Sequence, residues 1–157
     1  MNSLKAKHKI LYGLMTLVFL SVWYCRDIFT STYVKLQQAY ISETVHVGNW
    51  DIIGYKGPGN NTKGSAEGGA VSENNNFNYA DGGEYADNSA DLSSSTVGFK
   101  AHNKANLNDC TGATTMPDAA NWTITVSAAT SGSEGDATFT ANTACPELTS
   151  NFNMIGK

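Results

Sequence analysis

Trp122-Thr-Ile-Thr-Val-Ser127 and Ala137-Thr-Phe-Thr-Ala-Asn142 decide the fold. In the first, Trp122, Ile124 and Val126 alternate with Thr123, Thr125 and Ser127. In the second, Ala137, Phe139 and Ala141 alternate with Thr138, Thr140 and Asn142. Successive side chains of a strand point to opposite faces, so this period of two predicts two strands with one buried face each. Ser131-Gly-Ser-Glu-Gly-Asp136 reads as the hairpin loop between them. Working outward, Val97 with Phe99 marks an earlier strand, and Phe152 with Met154 a last one. Residues 59–96 are rich in Gly, Asn, Ser, Asp and Glu, with Val71, Phe77, Tyr79, Tyr85 and Leu92 as scattered anchors. They predict a long loop region holding one short strand around Asn76–Ala80.

Upstream the composition changes. Lys5, Lys7, His8 and Lys9 precede an uncharged stretch of sixteen residues, Ile10 to Cys25. As a helix it rises about 24 Å, short of a hydrocarbon core of about 30 Å. The lysines can snorkel on one side while Trp23 and Tyr24 sit at the opposite interface. The positive flank predicts a cytoplasmic N-terminus and an exported remainder. A cleaved secretory signal is the competing reading, but Ser21-Val-Trp23 and Val22-Trp-Tyr24 make poor cleavage sites. Ile28, Phe29, Tyr33, Leu36, Tyr40 and Ile41 then recur at helical spacing, with Lys35, Gln37, Gln38, Ser42 and Glu43 on the other face. One long helix is expected from Ile10 to Val45, ended by Gly48 and the glycines beyond it. Its second half is expected to pack on the sheet through Phe29, Tyr33, Leu36 and Tyr40.

The 157 residues suit one domain with an appendage, and only 15% are charged. Lys5, Lys7, Lys9, Arg26 and Lys35 face only Asp27 and Glu43 in residues 1–45, so the remainder carries the acidic excess behind the net charge of -4. That balance argues against a nucleic-acid partner, which would need a basic patch.

Cys110 and Cys145 both fall in the segment expected to be exported, where a pair is most economically a disulfide. Closing a loop of about 35 residues is worth roughly 4 kcal/mol on the chain-entropy account. A metal site is the alternative, but no His or Cys stands at ligand spacing to either. His8, His46 and His102 lie far apart, and no Gly-x-Ser-x-Gly context suggests a hydrolase. Gly64–Gly69 lacks the Lys of a phosphate loop. Asp81, Glu84, Asp87 and Asp91 are the best cation candidates, yet they match no EF-hand register. Asn60-Asn-Thr62 and Asn121-Trp-Thr123 fit the glycosylation sequon, a three-residue pattern that is weak evidence by itself. No catalytic residue, cofactor or metal ligand is assigned.

A basic leader, an apolar helix running into an amphipathic one, a glycine loop, an antiparallel sheet and a late disulfide loop together resemble the type IV pilin and type II secretion pseudopilin superfamily. The resemblance covers roughly residues 30–157. It lies in Tyr33-Val-Lys-Leu-Gln-Gln-Ala-Tyr40-Ile-Ser-Glu43, in Val47-Gly-Asn-Trp50-Asp-Ile-Ile-Gly54-Tyr-Lys-Gly-Pro58, and in Asn76-Phe-Asn-Tyr79, Leu107-Asn-Asp-Cys110, Trp122-Thr-Ile-Thr125 and Cys145-Pro-Glu-Leu-Thr-Ser-Asn-Phe152. It implies leader processing between Gly13 and Leu14. The family's glutamate at the fifth mature position is replaced by Val18, which implies a minor or tip subunit, a pilin-like protein that stays in the membrane, or a chain with an altered start.

The expected fold is therefore α+β: a long N-terminal helix, its first half in the membrane, packed on an antiparallel β-sheet head with a C-terminal disulfide loop. Residues 1–9 form a basic flank or leader, 10–45 the helix and 46–157 the exported head. The expected partners are the membrane, like or related pilin subunits met through the N-terminal helix, and a pilus or secretion assembly machinery. The expected location is the inner membrane with the head exported, or a surface filament once assembled. The alternative is a single-pass anchored binding module that does not polymerise.

Overall fold

A computed structural model describes residues 30–130 and 135–157. It contains a helix, α1, over residues 30–44. The strands are β1 (His46–Gly48), β2 (Asn60–Thr62), β3 (Val71–Glu73), β4 (Phe77–Ala80), β5 (Ser89–Asp91), β6 (Thr96–Asn103), β7 (Trp122–Ala128) and β8 (Ala137–Thr143). Six of them form one sheet in the order β2-β3-β4-β6-β7-β8, and β1 pairs with β5 in a two-stranded ribbon. Every pairing is antiparallel.

The long helix expected over residues 10–45 is corrected. Among the described residues α1 is the one α-helix, and none there is long and apolar enough to cross a membrane. The described fold is mostly antiparallel β with one short helix. Residues 10–29, including Gly13, Leu14 and Phe29, lie outside the described residues. The C-terminal limit has a local cause. Thr44 Oγ1 donates to the Tyr40 carbonyl at 2.8 Å, and Val45 turns to a φ of +59°. The chain then enters β1, where Val47 is opposite Ala90. Gly48 is not a helix stop but a strand residue in a tight place, since a Cβ there would come within 2.9 Å of Ile53, Ile52 and Tyr40.

The buried stripe of α1 is Tyr33, Gln37 and Ile41, spaced four apart; Leu36 and Tyr40 are half-buried at its flank. Gln37, expected on the polar face, has no exposed surface. With the carboxamide oriented to match its neighbours, it satisfies both backbone groups of Gly48: Nε2 donates to the carbonyl at 3.0 Å, and the Gly48 amide donates to Oε1 at 2.8 Å. A buried amide is tolerated because its donor and acceptor are both matched.

The strongest strands follow the alternation. Trp122, Ile124, Val126, Phe139 and Ala141 are buried, and Ile124 faces Ala141 across the ladder. In β6 the register shifts between Val97 and Phe99, so Gly98 sits in a bulge. The Trp50 indole Nε1 donates to the Gly98 carbonyl at 2.7 Å. The ring also lies 4.8 Å from Tyr55, edge-on, and 5.9 Å from Phe99, stacked. Tyr33 adds contacts to Tyr55 at 5.5 Å and Phe99 at 5.8 Å. This aromatic cluster joins α1, the turn after β1 and the sheet.

Two further expectations change. Phe152–Met154 is a 3-10 turn, not a last strand. The Leu148, Thr149 and Phe152 amides donate three residues back, to Cys145, Pro146 and Thr149, so this segment coils; Phe152 is buried while Met154 is 59% exposed. Residues 59–96 hold β4 as expected, and also β2, β3 and β5 of three residues each. Residues 129–136 connect β7 to β8, two residues more than the expected Ser131–Asp136, and residues 131–134 lie outside the described residues.

Candidate functional site

The residues after β1 make a polar corner. Asn49 donates its backbone amide to the Asn88 carbonyl at 2.9 Å, and its Nδ2 to the Ser65 carbonyl at 3.1 Å and Asn88 Oδ1 at 3.2 Å. Its Oδ1 accepts the Ile52 amide at 2.9 Å. Asp51 Oδ2 accepts the Gly64 amide at 2.9 Å. One asparagine and one aspartate thereby hold three loops together, and an open cleft of about 280 Å³ lies among them. Asp51, Lys63, Ser65 and Asn88 line it beside Ile52, which is 48% exposed. A carboxylate, an ammonium, a hydroxyl and a carboxamide next to an aliphatic patch can bind a polar group. Ser65 Oγ donates to Glu67 Oε2 at 2.5 Å, which ties the hydroxyl within its own turn.

Asp81 lies inside, 6% exposed. Its Oδ2 accepts the Trp50 amide at 2.8 Å, and its Oδ1 accepts the Gly83 amide at 3.1 Å and the Tyr85 hydroxyl at 2.7 Å. Burial pushes its pKa up to about 6, against the downward pull of those three donors. Burial also raises the Tyr85 phenol, and the Asp81 charge adds to that. Asp81 is a bracket that fixes the Trp50 turn to the segment after β4.

The sequence candidates are distributed as follows. Cys110 and Cys145 are joined in a disulfide with Cα atoms 5.7 Å apart. Beyond Cys145, Thr149 accepts the Trp122 indole proton at 2.7 Å, so the fastened C-terminal segment rests on β7. Tyr33 belongs to the core, and Leu36 and Tyr40 pack against it. Asp81 is turned inward, whereas Glu84, Asp87 and Asp91 are exposed. Asp91 spends its Oδ1 on the Ser93 amide at 2.9 Å. Among the described residues no three His, Cys, Asp or Glu side chains are grouped to hold a metal ion. His46 Nδ1 meets the Thr44 carbonyl at 2.6 Å. His102 is buried, its Nδ1 without a partner among the described residues, and burial lowers its pKa. Ser65 and Gly68 exchange backbone hydrogen bonds at 2.8 and 3.0 Å, a tight turn that leaves those amides no phosphate to hold.

Asn49 and Asp51 escaped the sequence reading. Both act through backbone groups distant in the chain, which no local spacing reveals; the turn residues around Gly54, with its φ of +74°, were the available signal. No family model, curated protein or solved structure matches the chain.

Proposed function

We propose that the chain is a structural subunit of a type IV pilus-like or pseudopilus assembly, minor or atypical within it, with residues 46–157 displayed outside the inner membrane. The observation that carries this reading is the Cys110–Cys145 bond, which fastens the C-terminal segment to the Trp122 strand. A disulfide suits an oxidising, extracytoplasmic setting. The pilin-like residue pattern from Tyr33 onward supports it further. The apolar stretch Ile10–Cys25 supplies the membrane contact, and like or related subunits and the assembly machinery are the partners. Val18, in place of a charge-pairing glutamate, supports a subunit that joins a filament without building one alone. The test is the N-terminus of the protein recovered from membranes. Processing before Leu14 is the expected result, and an intact Met1 contradicts it.

The cleft beside Ile52 favours a second reading, an anchored binding module presenting the corner of Asp51, Lys63 and Asn88 to an extracytoplasmic ligand. That reading predicts the intact Met1 and no association with filaments.

A further inference from the structure

Two sequons occur in the chain, and the fold separates them sharply. Asn121 is spoken for. Its Nδ2 donates to Asn103 Oδ1 at 2.6 Å and to the Thr111 carbonyl at 3.0 Å, immediately before β7. Both amide protons are therefore engaged, and Asn103, one of the two partners, is fully buried. Attachment of any group to this nitrogen replaces one of its two protons and so would break at least one of the contacts that hold the segment after Cys110 to the sheet.

Asn60 is the opposite case. It begins β2, the outermost strand at its end of the sheet, and all three residues of that strand are exposed. Residues two apart on a strand share a face, so the Asn60 carboxamide and the Thr62 hydroxyl stand side by side. Neither side chain is engaged in a hydrogen bond among the described residues. The approach is a turn, with Gly57 at a φ of +72° and Gly59 at +81°, and Lys63 follows at the exposed far end. β2 pairs only with β3, through three residue pairs, so little backbone pairing constrains the acceptor segment.

We propose that Asn60 is an N-glycosylation acceptor and that Asn121 is not. The sugar donor is an oligosaccharide carried on a lipid diphosphate, delivered by a membrane oligosaccharyltransferase. Asn60 Nδ2 attacks the anomeric carbon of the first sugar. A carbon–nitrogen bond forms, the bond from that carbon to the phosphate oxygen breaks, the lipid diphosphate leaves, and the displaced amide proton passes to the enzyme's base. The site faces solvent on the exported head, so the inference rests on the export reading given above. A glycan at Asn60 would cover the exposed β2 edge, where bare backbone groups otherwise invite another strand.

The experiment is peptide mapping of the full-length protein taken from its own cells, with cell fractionation run in parallel. Trypsin releases Gly57–Lys63, which holds the whole sequon. The expected result is this peptide carrying a glycan mass and the Asn121 peptide carrying none. Asn60→Gln and Thr62→Ala should each yield the Gly57–Lys63 peptide at the mass of the substituted sequence with no glycan added. Exported protein with an unmodified Gly57–Lys63 peptide, or with a glycan on Asn121, overturns the assignment. Protein confined to the cytoplasm instead overturns the export reading, and this inference with it.

Discussion

The Tyr33 hydroxyl occupies the space in which Gly98 would carry a side chain: a Cβ built on Gly98 lies 1.9 Å from that oxygen. The β6 bulge and the helix thus meet at an atom-sized gap that only glycine leaves open. The same hydroxyl is buried without a hydrogen-bond partner among the described residues. Gly98→Ala should cost about 2–3 kcal/mol through overpacking. Tyr33→Phe removes an unmatched polar group, so it should be neutral or stabilising by up to about 1 kcal/mol. The double variant should recover most of the Gly98→Ala loss, because the next nearest Tyr33 atom lies at 3.1 Å. Urea unfolding of the four proteins checks this, and strict additivity would refute the contact.

Gln37 makes a similar test of α1. Gln37→Leu keeps the volume roughly constant and adds apolar surface, yet it strands the amide and carbonyl of Gly48 that the carboxamide satisfies. The expected loss is about 2–4 kcal/mol, the cost of leaving two buried backbone groups unpaired. Leu36→Ala, at the half-buried flank, should cost less than Ile41→Ala, which should lose about 2–4 kcal/mol. Thermal unfolding ranks the three. Leu36→Ala as the most damaging would mean the stripe is assigned to the wrong face.

Asp81 gives a pH dependence with a definite sign. Its folded pKa of about 6 lies above the ordinary 3.8, so between these values the folded chain keeps a proton that the unfolded chain has lost. Its contribution is present below about pH 4 and is lost as pH rises through about 6. His102 acts in the opposite sense, because its lowered pKa makes the unfolded chain take up a proton first. Comparison with Asp81→Asn cancels His102, which is common to both proteins. The variant should be less stable throughout, since its amide faces a backbone donor. The gap to the native chain should widen as pH falls from 7 to 4, by up to about 3 kcal/mol. A gap independent of pH contradicts the burial argument.

The disulfide closes a separation of 35 residues. Its reduction, or Cys110→Ala with Cys145→Ala, should lower stability by about 4 kcal/mol. Trp122 fluorescence should change at the same time, since its indole proton goes to Thr149 in the segment that the bond retains. An unchanged unfolding midpoint in the presence of reductant would deny the bond its structural role.

The sequence was most legible where a pattern ran for several residues. β7 and β8, seven residues each, show the period of two plainly, and the Cys110–Cys145 bond matches the pairing expected of two cysteines in a segment read as exported. β2, β3 and β5 are too short to show any period, and what places them is pairing with distant residues. Gln37 was misread because a polar side chain normally faces water; only the position of Gly48 shows otherwise. Phe152 with Met154 imitated a strand, although one side chain is buried and the other exposed on a single coil. Within the candidate cleft, nothing near Asn49 and Asp51 in the chain marks their role, because their partners lie at Ser65, Asn88 and Gly64.

The most direct test of the proposed role is quantitative mass spectrometry of surface filaments sheared from the native cells, with electron microscopy of the same material. The chain should be present in filaments at a small fraction of the major subunit, and no long filament should consist of it alone. Its absence from the filaments, with the protein retained in the cell membrane, would contradict the subunit reading; long filaments built only of this chain would contradict its minor place.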